Sequence, residues 1–382
     1  MGEQNTKNRT ESVFSKFRRY CPVPSMIFFG IAVAAIIVHI ICIYSTEFSD
    51  IMNNSVCRSV RFILAKITGW FPFSLAETVL LCLPFIFILM ILHSVHISRD
   101  DTSFRTIRYL CGVLSVVTIL YSFFVFGFAP AYHGSTLEKK LGLERRSVSA
   151  EELYETAGIL KESAEELADN VTFINGGASV MPYTMFEMND KLNEAYSSFC
   201  VKNDFVQKMD TKIKQIAVSK LMTYTHIAGV YTYYTGEANL NTNFPSYTLP
   251  YTAAHELSHQ RGTAREDEAN FLAFLVCMES DDEYIKYSGY LNLFEYVAGA
   301  LYKADSSLYS SLMSDLDMRI YSELFSYNNF FDKYKDSAVS KISGTVNDTY
   351  LKSQGQEAGT ESYGRVVELA VAYFIPNYFS EM

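Results

Sequence analysis

Residues 251–278 read YTAAHELSHQRGTAREDEANFLAFLVCM, and their spacing decides how the rest of the chain is read. The segment contains His255-Glu256-Leu257-Ser258-His259. On a helix, residues four apart lie one above the other on the same face. Both imidazoles can therefore turn a nitrogen to one metal ion, with Glu256 in reach of a water bound there. A catalytic Zn2+ takes three protein ligands and keeps one position open, so a third ligand is required. Gly262 follows His259 by three residues and is the residue type that most readily turns a chain out of a helix. Glu266-Asp267-Glu268-Ala269-Asn270 then opens a second apolar run, FLAFLVC. If that run is helical, Glu266 and Asn270 share a face, while Glu268 points about 200° away from Glu266. The phasing makes Glu266 the third ligand, and Asn270, one turn on, a hydrogen-bond partner behind a ligand. A helix that starts later makes Glu268 the ligand instead.

Charge and cysteine content narrow the remaining possibilities. Residues 1–129 carry 11 Lys and Arg against 7 Asp and Glu, whereas the remainder carries 21 against 35. An acidic C-terminal part argues against nucleic acid as its partner. Of seven cysteines, only Cys200 and Cys277 lie beyond residue 129, which allows one disulfide there but no framework. There is no CxxC pair, so thiolate zinc ligands are not expected.

Residues 1–24 form a basic tail, expected in the cytoplasm, ending in Pro22 and Pro24. Three apolar stretches follow, at about 25–46, 73–95 and 109–128, each long enough to span a bilayer. His39 lies inside the first and is expected to face neighbouring helices. Between the first two, Arg58, Arg61, Lys66, Phe62, Ile63, Ile67 and Trp70 suit either a connecting loop or a helix lying in the membrane interface. Basic residues favour the N-terminus and the 98–108 loop on the inner side, which places the chain after Pro130 outside the cell.

Residues 130–382 read as one soluble, mostly helical domain. Ser149 with Glu152 forms a capping box for a helix over about 150–168. Further helices are expected at about 185–200, 204–222, 283–303, 307–334 and 363–378. Residues 229–247, rich in β-branched and aromatic side chains, read as a short hairpin or edge strand just before the metal helix, with Glu237 read as an exposed turn acid rather than a group that meets substrate or backs a metal ligand. The polar stretch 343–362 reads as a loop. The 27 Tyr and 28 Phe must supply much of the core, so no tyrosine stands out as catalytic.

HELSHQRG, followed by EDEANFLA and preceded by GEANLN, resembles an uncharacterised family of bacterial multi-span membrane proteins with an HELxHQRG motif. The pattern ExxAN also resembles the ExxAD of membrane zinc metallopeptidases of the heat-shock and CAAX-prenyl types. In those enzymes the glutamate is the third zinc ligand, a role that falls here on Glu266; Asn270 stands where they carry aspartate. The resemblance implies a zincin-like domain behind three membrane helices, acting on a protein or peptide substrate beside the bilayer. The alternative is a membrane sensor or regulator whose metal only braces the fold. Glu256 separates the two, because a structural site has no use for a general base and fills its fourth ligand position.

Overall fold

The computed structural model describes residues 18–99, 103–174, 177–335, 338–354 and 365–375. Helix α1 spans Val23–Tyr44 and is followed by α2, Thr46–Met52, a π-helical turn at Asn53–Cys57, and α3, Arg58–Thr68. Helices α4, Leu75–Arg99, and α5, Ser103–Gly127, complete the N-terminal part. α1, α4 and α5 are long and apolar enough to cross a membrane, with mean hydropathies of 2.9, 2.6 and 2.2. They run slightly off the expected bounds. The expected polar loop at 98–108 is largely absorbed into α4 and α5, with residues 100–102 outside the described set. α1 packs on α5, where Ser25 donates to Ser115 at 3.2 Å and His39 Nδ1 meets the Tyr121 hydroxyl at 2.8 Å. His39 thus faces its neighbour, as its place among apolar residues requires.

The segment expected as a loop or interfacial helix is helical and has two faces. Phe62, Ile63, Ile67 and Trp70 are exposed. Arg61, however, is buried and points into the protein rather than to an interface.

The helical domain follows from α6, Ala150–Ala168, and α7, Met185–Lys202. α6 carries the expected capping box at Ser149 and Glu152, and α7 carries another at Thr184 and Glu187. Of the expected helix at 204–222 only the last turn, Ser219–Met222, is helical. The chain before it is extended because side-chain amides of α7 take its backbone bonds, Asn189 accepting from the Ile213 N–H and Asn193 donating to the Thr211 carbonyl. It contains β1, Lys214–Gln215, which pairs in parallel with β3, Glu237–Leu240; β2, Gly229–Thr232, pairs antiparallel on the other side. β3 is therefore central and β2 an edge.

α8, Thr248–Gln260, and α9, Glu266–Met278, hold the motif. α10, Glu283–Ala304, covers α6, and the long helix expected at 307–334 is broken into α11, Ser306–Met313, and α12, Met318–Asp332. Asp317 accepts from the Arg319 N–H and restarts the chain as an N-cap. The polar stretch expected as a loop contributes most of α13, Ala338–Ser353, with residues 355–364 outside the described set. The last helix, α14, is Val366–Phe374. Leu160, Met188, Leu257, Phe271, Leu291 and Phe294 are central to a core that joins α6 to α10. The Cys200 and Cys277 thiols are free.

The helical domain is not separate from the N-terminal part. Glu237, expected as an exposed turn acid, is 1% exposed and accepts the N–H groups of Leu75 and Ala76 at 3.1 and 2.8 Å, capping α4. Glu77 accepts from Ala217 and Val218 in return, and buried Lys214 donates to the carbonyls of Thr68 and Phe71. Removing residues 1–129 should strand these groups, each buried unpaired one costing about 1–3 kcal/mol. Residues 130–382 expressed alone should therefore aggregate or melt well below the full chain in detergent, as thermal unfolding would show.

Candidate metal centre

α8 is helical because one of its faces is core. Ala253, Ala254 and Leu257 are fully buried, and the Tyr196 hydroxyl donates to the Ala254 carbonyl at 2.6 Å. The opposite side carries His255, Glu256 and His259. The helix ends at Gly262, whose φ of +100° is strained for any residue with a Cβ. This turn also orients a side chain of the motif. Its Thr263 carbonyl lies 2.7 Å from His259 Nδ1, which fixes a proton there and makes Nε2 the nitrogen that a cation can take in exchange for its proton.

α9 then begins at Glu266 and sends three consecutive carboxylates in three directions, as about 100° per residue requires. Glu266 reaches the histidines, at 3.3 Å from His255 Nε2 and 3.6 Å from His259 Nε2. Asp267 pairs with Arg145 at 2.8 Å. Glu268 pairs with Arg265 at 2.7 Å, and Arg265 is itself anchored on the carbonyls of Tyr132 and Gly134. Glu266 therefore joins the cluster, and Glu268 braces the turn. His255 Nε2 and His259 Nε2 are 3.0 Å apart, so three donor atoms converge on one point.

The charges agree with the geometry. Burial lowers the His259 pKa, but Glu266 outweighs it and holds the imidazole up at about 9. The histidines in turn hold the Glu266 carboxyl far below its usual range against its own burial. Such a carboxylate with two imidazoles favours a positive charge between them, whether protons or a metal ion. Glu256 lies beside the cluster. Burial pushes its pKa up to about 7, opposed by the two histidines and by a hydrogen bond from the Tyr231 N–H of β2. Its Oε2 is buried without a hydrogen-bond partner. Gly229 makes room for this carboxylate, because a Cβ there would sit 2.5 Å from Glu256 Oε1.

These groups line a cleft of ≈ 950 Å³ between β2, α8 and α13. Asn270 lines it as well; its carbonyl accepts from the Tyr251 hydroxyl at 2.9 Å, while its Nδ2 is buried without a hydrogen-bond partner. Asn270 thus shares the cleft without bonding a ligand residue. Tyr296 also lines the cleft; its pKa is raised by burial and by Glu295 and Glu266, so its hydroxyl stays a donor at neutral pH. The sequence could not single out Tyr296 among so many tyrosines.

The rest of the motif positions this centre. Gln260 donates to the Gly236 carbonyl at 2.7 Å and accepts from Thr211, tying α8 to the β2–β3 turn. Arg261 donates to the carbonyls of Met209 and Leu257 and lies over the Tyr196 ring at 3.9 Å. A Cβ on Gly262 would lie 2.5 Å from Arg61 Nη2. Gly262→Ala should therefore destabilise the full chain by about 1–3 kcal/mol through backbone strain alone. Gly142→Ala, whose φ is +69° but whose Cβ would meet open space, is the control in a thermal unfolding comparison and should be the milder change.

No curated protein and no solved structure matches the chain. The profile of one family, described as "Protein of unknown function (DUF3810)", matches residues 53–371, from the π-helical turn before α3 through both motif helices into α14. Since that match covers most of its length, the chain belongs to the DUF3810 family of proteins of unknown function.

Proposed function

We propose that the protein is a membrane-anchored zinc metallopeptidase that hydrolyses peptide bonds in the cleft beside β2. One observation carries the reading: His255, His259 and Glu266 converge on a point at the cleft wall, with the Glu256 carboxylate next to it. The donor set suits Zn2+. Ligands 2.0–2.1 Å from a tetrahedral ion lie roughly 3.3 Å apart, and the three separations here run from 3.0 to 3.6 Å. No fourth ligand closes the cluster among the described residues, which leaves a position open.

Bound there, zinc would polarise a substrate carbonyl and lower the pKa of a water towards neutrality. The chain's own groups do the rest. Glu256 takes the proton of the attacking water as the new C–O bond forms. It passes that proton to the amide nitrogen as the C–N bond breaks, and the second proton of the water follows from the new carboxyl to the amine, leaving a carboxylate and an ammonium. A cation beside Glu256 favours its ionised, basic form. Tyr296 supplies a neutral hydroxyl donor to the developing oxyanion. The edge of β2 away from β3 can align an extended chain through the main-chain groups that Glu256 does not take. Basic residues near the apolar helices support a cleft on the outer side of the membrane.

The full chain in detergent should hold about one zinc, and His259→Ala should lose most of it in metal analysis. Glu266→Gln should weaken zinc binding more than Glu268→Gln does; unchanged metal in both histidine and Glu266 variants would sink the centre.

Glu256→Gln should keep zinc and thermal stability near wild type while peptide cleavage falls about 10²–10⁴-fold. If that variant loses the metal or unfolds, Glu256 is structural and a metal-braced sensor becomes the better reading.

A further inference from the structure

We infer that the cleft binds the interior of an uncharged, apolar or aromatic polypeptide segment beside the bilayer, so that the enzyme cuts within chains rather than trimming their ends. This rests on the peptidase reading and specifies its substrate. Among the described residues that line the cleft there is no lysine, arginine or aspartate, and its carboxylates are Glu256 and Glu266, both engaged at the metal centre. The remaining histidine, His226, lies 2.8 Å by Nε2 from the Tyr334 carbonyl. Other polar groups on the wall are hydroxyls and amides, among them Thr225, Thr248, Thr252 and Asn292.

A chain terminus held beside the metal brings a full charge out of water. Such a charge needs an opposite partner, or its desolvation opposes binding. A C-terminal carboxylate finds no cation of the wall to meet it, and an N-terminal ammonium finds no carboxylate beyond the two already engaged. The same argument turns away phosphorylated and acidic substrates. An internal peptide carries no terminal charge, and its backbone can be met by the edge of β2 and by neutral hydroxyls.

The rings on the wall provide the complement to apolar side chains: Tyr132, Tyr231, Tyr233, Phe244, Tyr327 and Tyr350. They continue into the membrane helices. Phe128, directly after α5, lies 6.2 Å from the His259 ring, and Phe124 within α5 meets Tyr233 edge-on at 5.1 Å. An aromatic path therefore leads from an apolar, membrane-type helix to the metal centre. That places the juxtamembrane part of a neighbouring polypeptide as the segment best able to reach it.

The test uses zinc-loaded full-length protein in detergent and internally quenched peptides. The parent is neutral, rich in Phe, Leu and Ala, acetylated at one end and amidated at the other. It should be cut internally, and freeing its ends should change kcat/KM little. One Lys or Glu within two residues of the scissile bond should lower kcat/KM at least ~10-fold, because that charge is buried unpaired. Val230→Arg adds a cation at the rim, on a residue 38% exposed, and should selectively restore cleavage of the Glu-bearing peptide. A required free terminus, or a preference for charged flanks, overturns this inference and leaves the peptidase reading standing. If the zinc-loaded protein cuts none of the peptides, including the parent, and matches Glu256→Gln, both fall.

Discussion

A single buried guanidinium joins the parts of this protein. Arg61 is 2% exposed and donates to Asn53 Oδ1 at 2.8 Å, to the Asn53 carbonyl at 3.1 Å and to the Gly127 carbonyl at 3.1 Å. Asn53 passes the contact on, its Nδ2 donating to the Gly262 carbonyl at 3.1 Å. One cation thus ties the π-helical turn, the end of α5 and the turn that closes the metal helix. Among the described residues no carboxylate pairs with it, so its burial costs desolvation that only these fixed carbonyls offset. Such a group contributes little net stability and a good deal of geometry. It also explains why Gly262 must be glycine, since the space a Cβ would take is filled by Arg61.

From that anchor the HELSHQRG motif divides its work residue by residue. His255 and His259 offer the two nitrogens, Glu256 stands beside them, and Ser258 faces Tyr196 in the core. Gln260 holds the hairpin, Arg261 holds α7 and the extended chain before β1, and Gly262 admits Arg61. The proton balance of the centre follows from this fixed geometry. His259 stays protonated up to about 9 in the metal-free chain because Glu266 lies against it. That stabilisation is present below the ordinary histidine pKa and is lost as pH rises through about 9. A metal must displace this proton, so its affinity falls as pH falls.

Much of this was legible in the sequence, and the reason is local. The i,i+4 histidines, the glycine turn and the 100° step along α9 are short-range facts; they favour Glu266 and leave Glu268 as the alternative, and the start of α9 at Glu266 brings Glu266 to the histidines. The three apolar helices and the Ser149 capping box were readable for the same reason. What failed was decided by partners far away in the chain. Lys214 falls within the helix expected at 204–222, and only the distant carbonyls of Thr68 and Phe71 show that it is a buried donor on a strand. Glu237 reads as a turn acid until the N-terminus of α4 needs an anion. α13 is harder still, because Val339 and Ile342 are exposed while Ser340, Ser343, Gly344 and Asn347 line the cleft beside Val346 and Tyr350. A periodicity argument assumes that apolar residues face inward, and here they are divided between the cleft and the outer surface.

The same long-range contacts bear on what the protein does. Arg61, Lys214 and Arg261 each meet backbone carbonyls, whereas Glu237, Glu77 and Asp50 each meet backbone N–H groups. Bonds of this kind are directional, and a rearranged surface side chain cannot replace them. With the exception of Arg261, these groups sit where the membrane-type helices and their connectors meet the helical domain. The cleft is therefore held at a fixed height and angle relative to the ends of α4 and α5, rather than swinging on a tether. A peptidase free in solution would gain nothing from fixing that relation with so many charges. On the reading proposed above, a site that meets its substrate at the bilayer surface would gain from it, because the same membrane would fix the substrate's position.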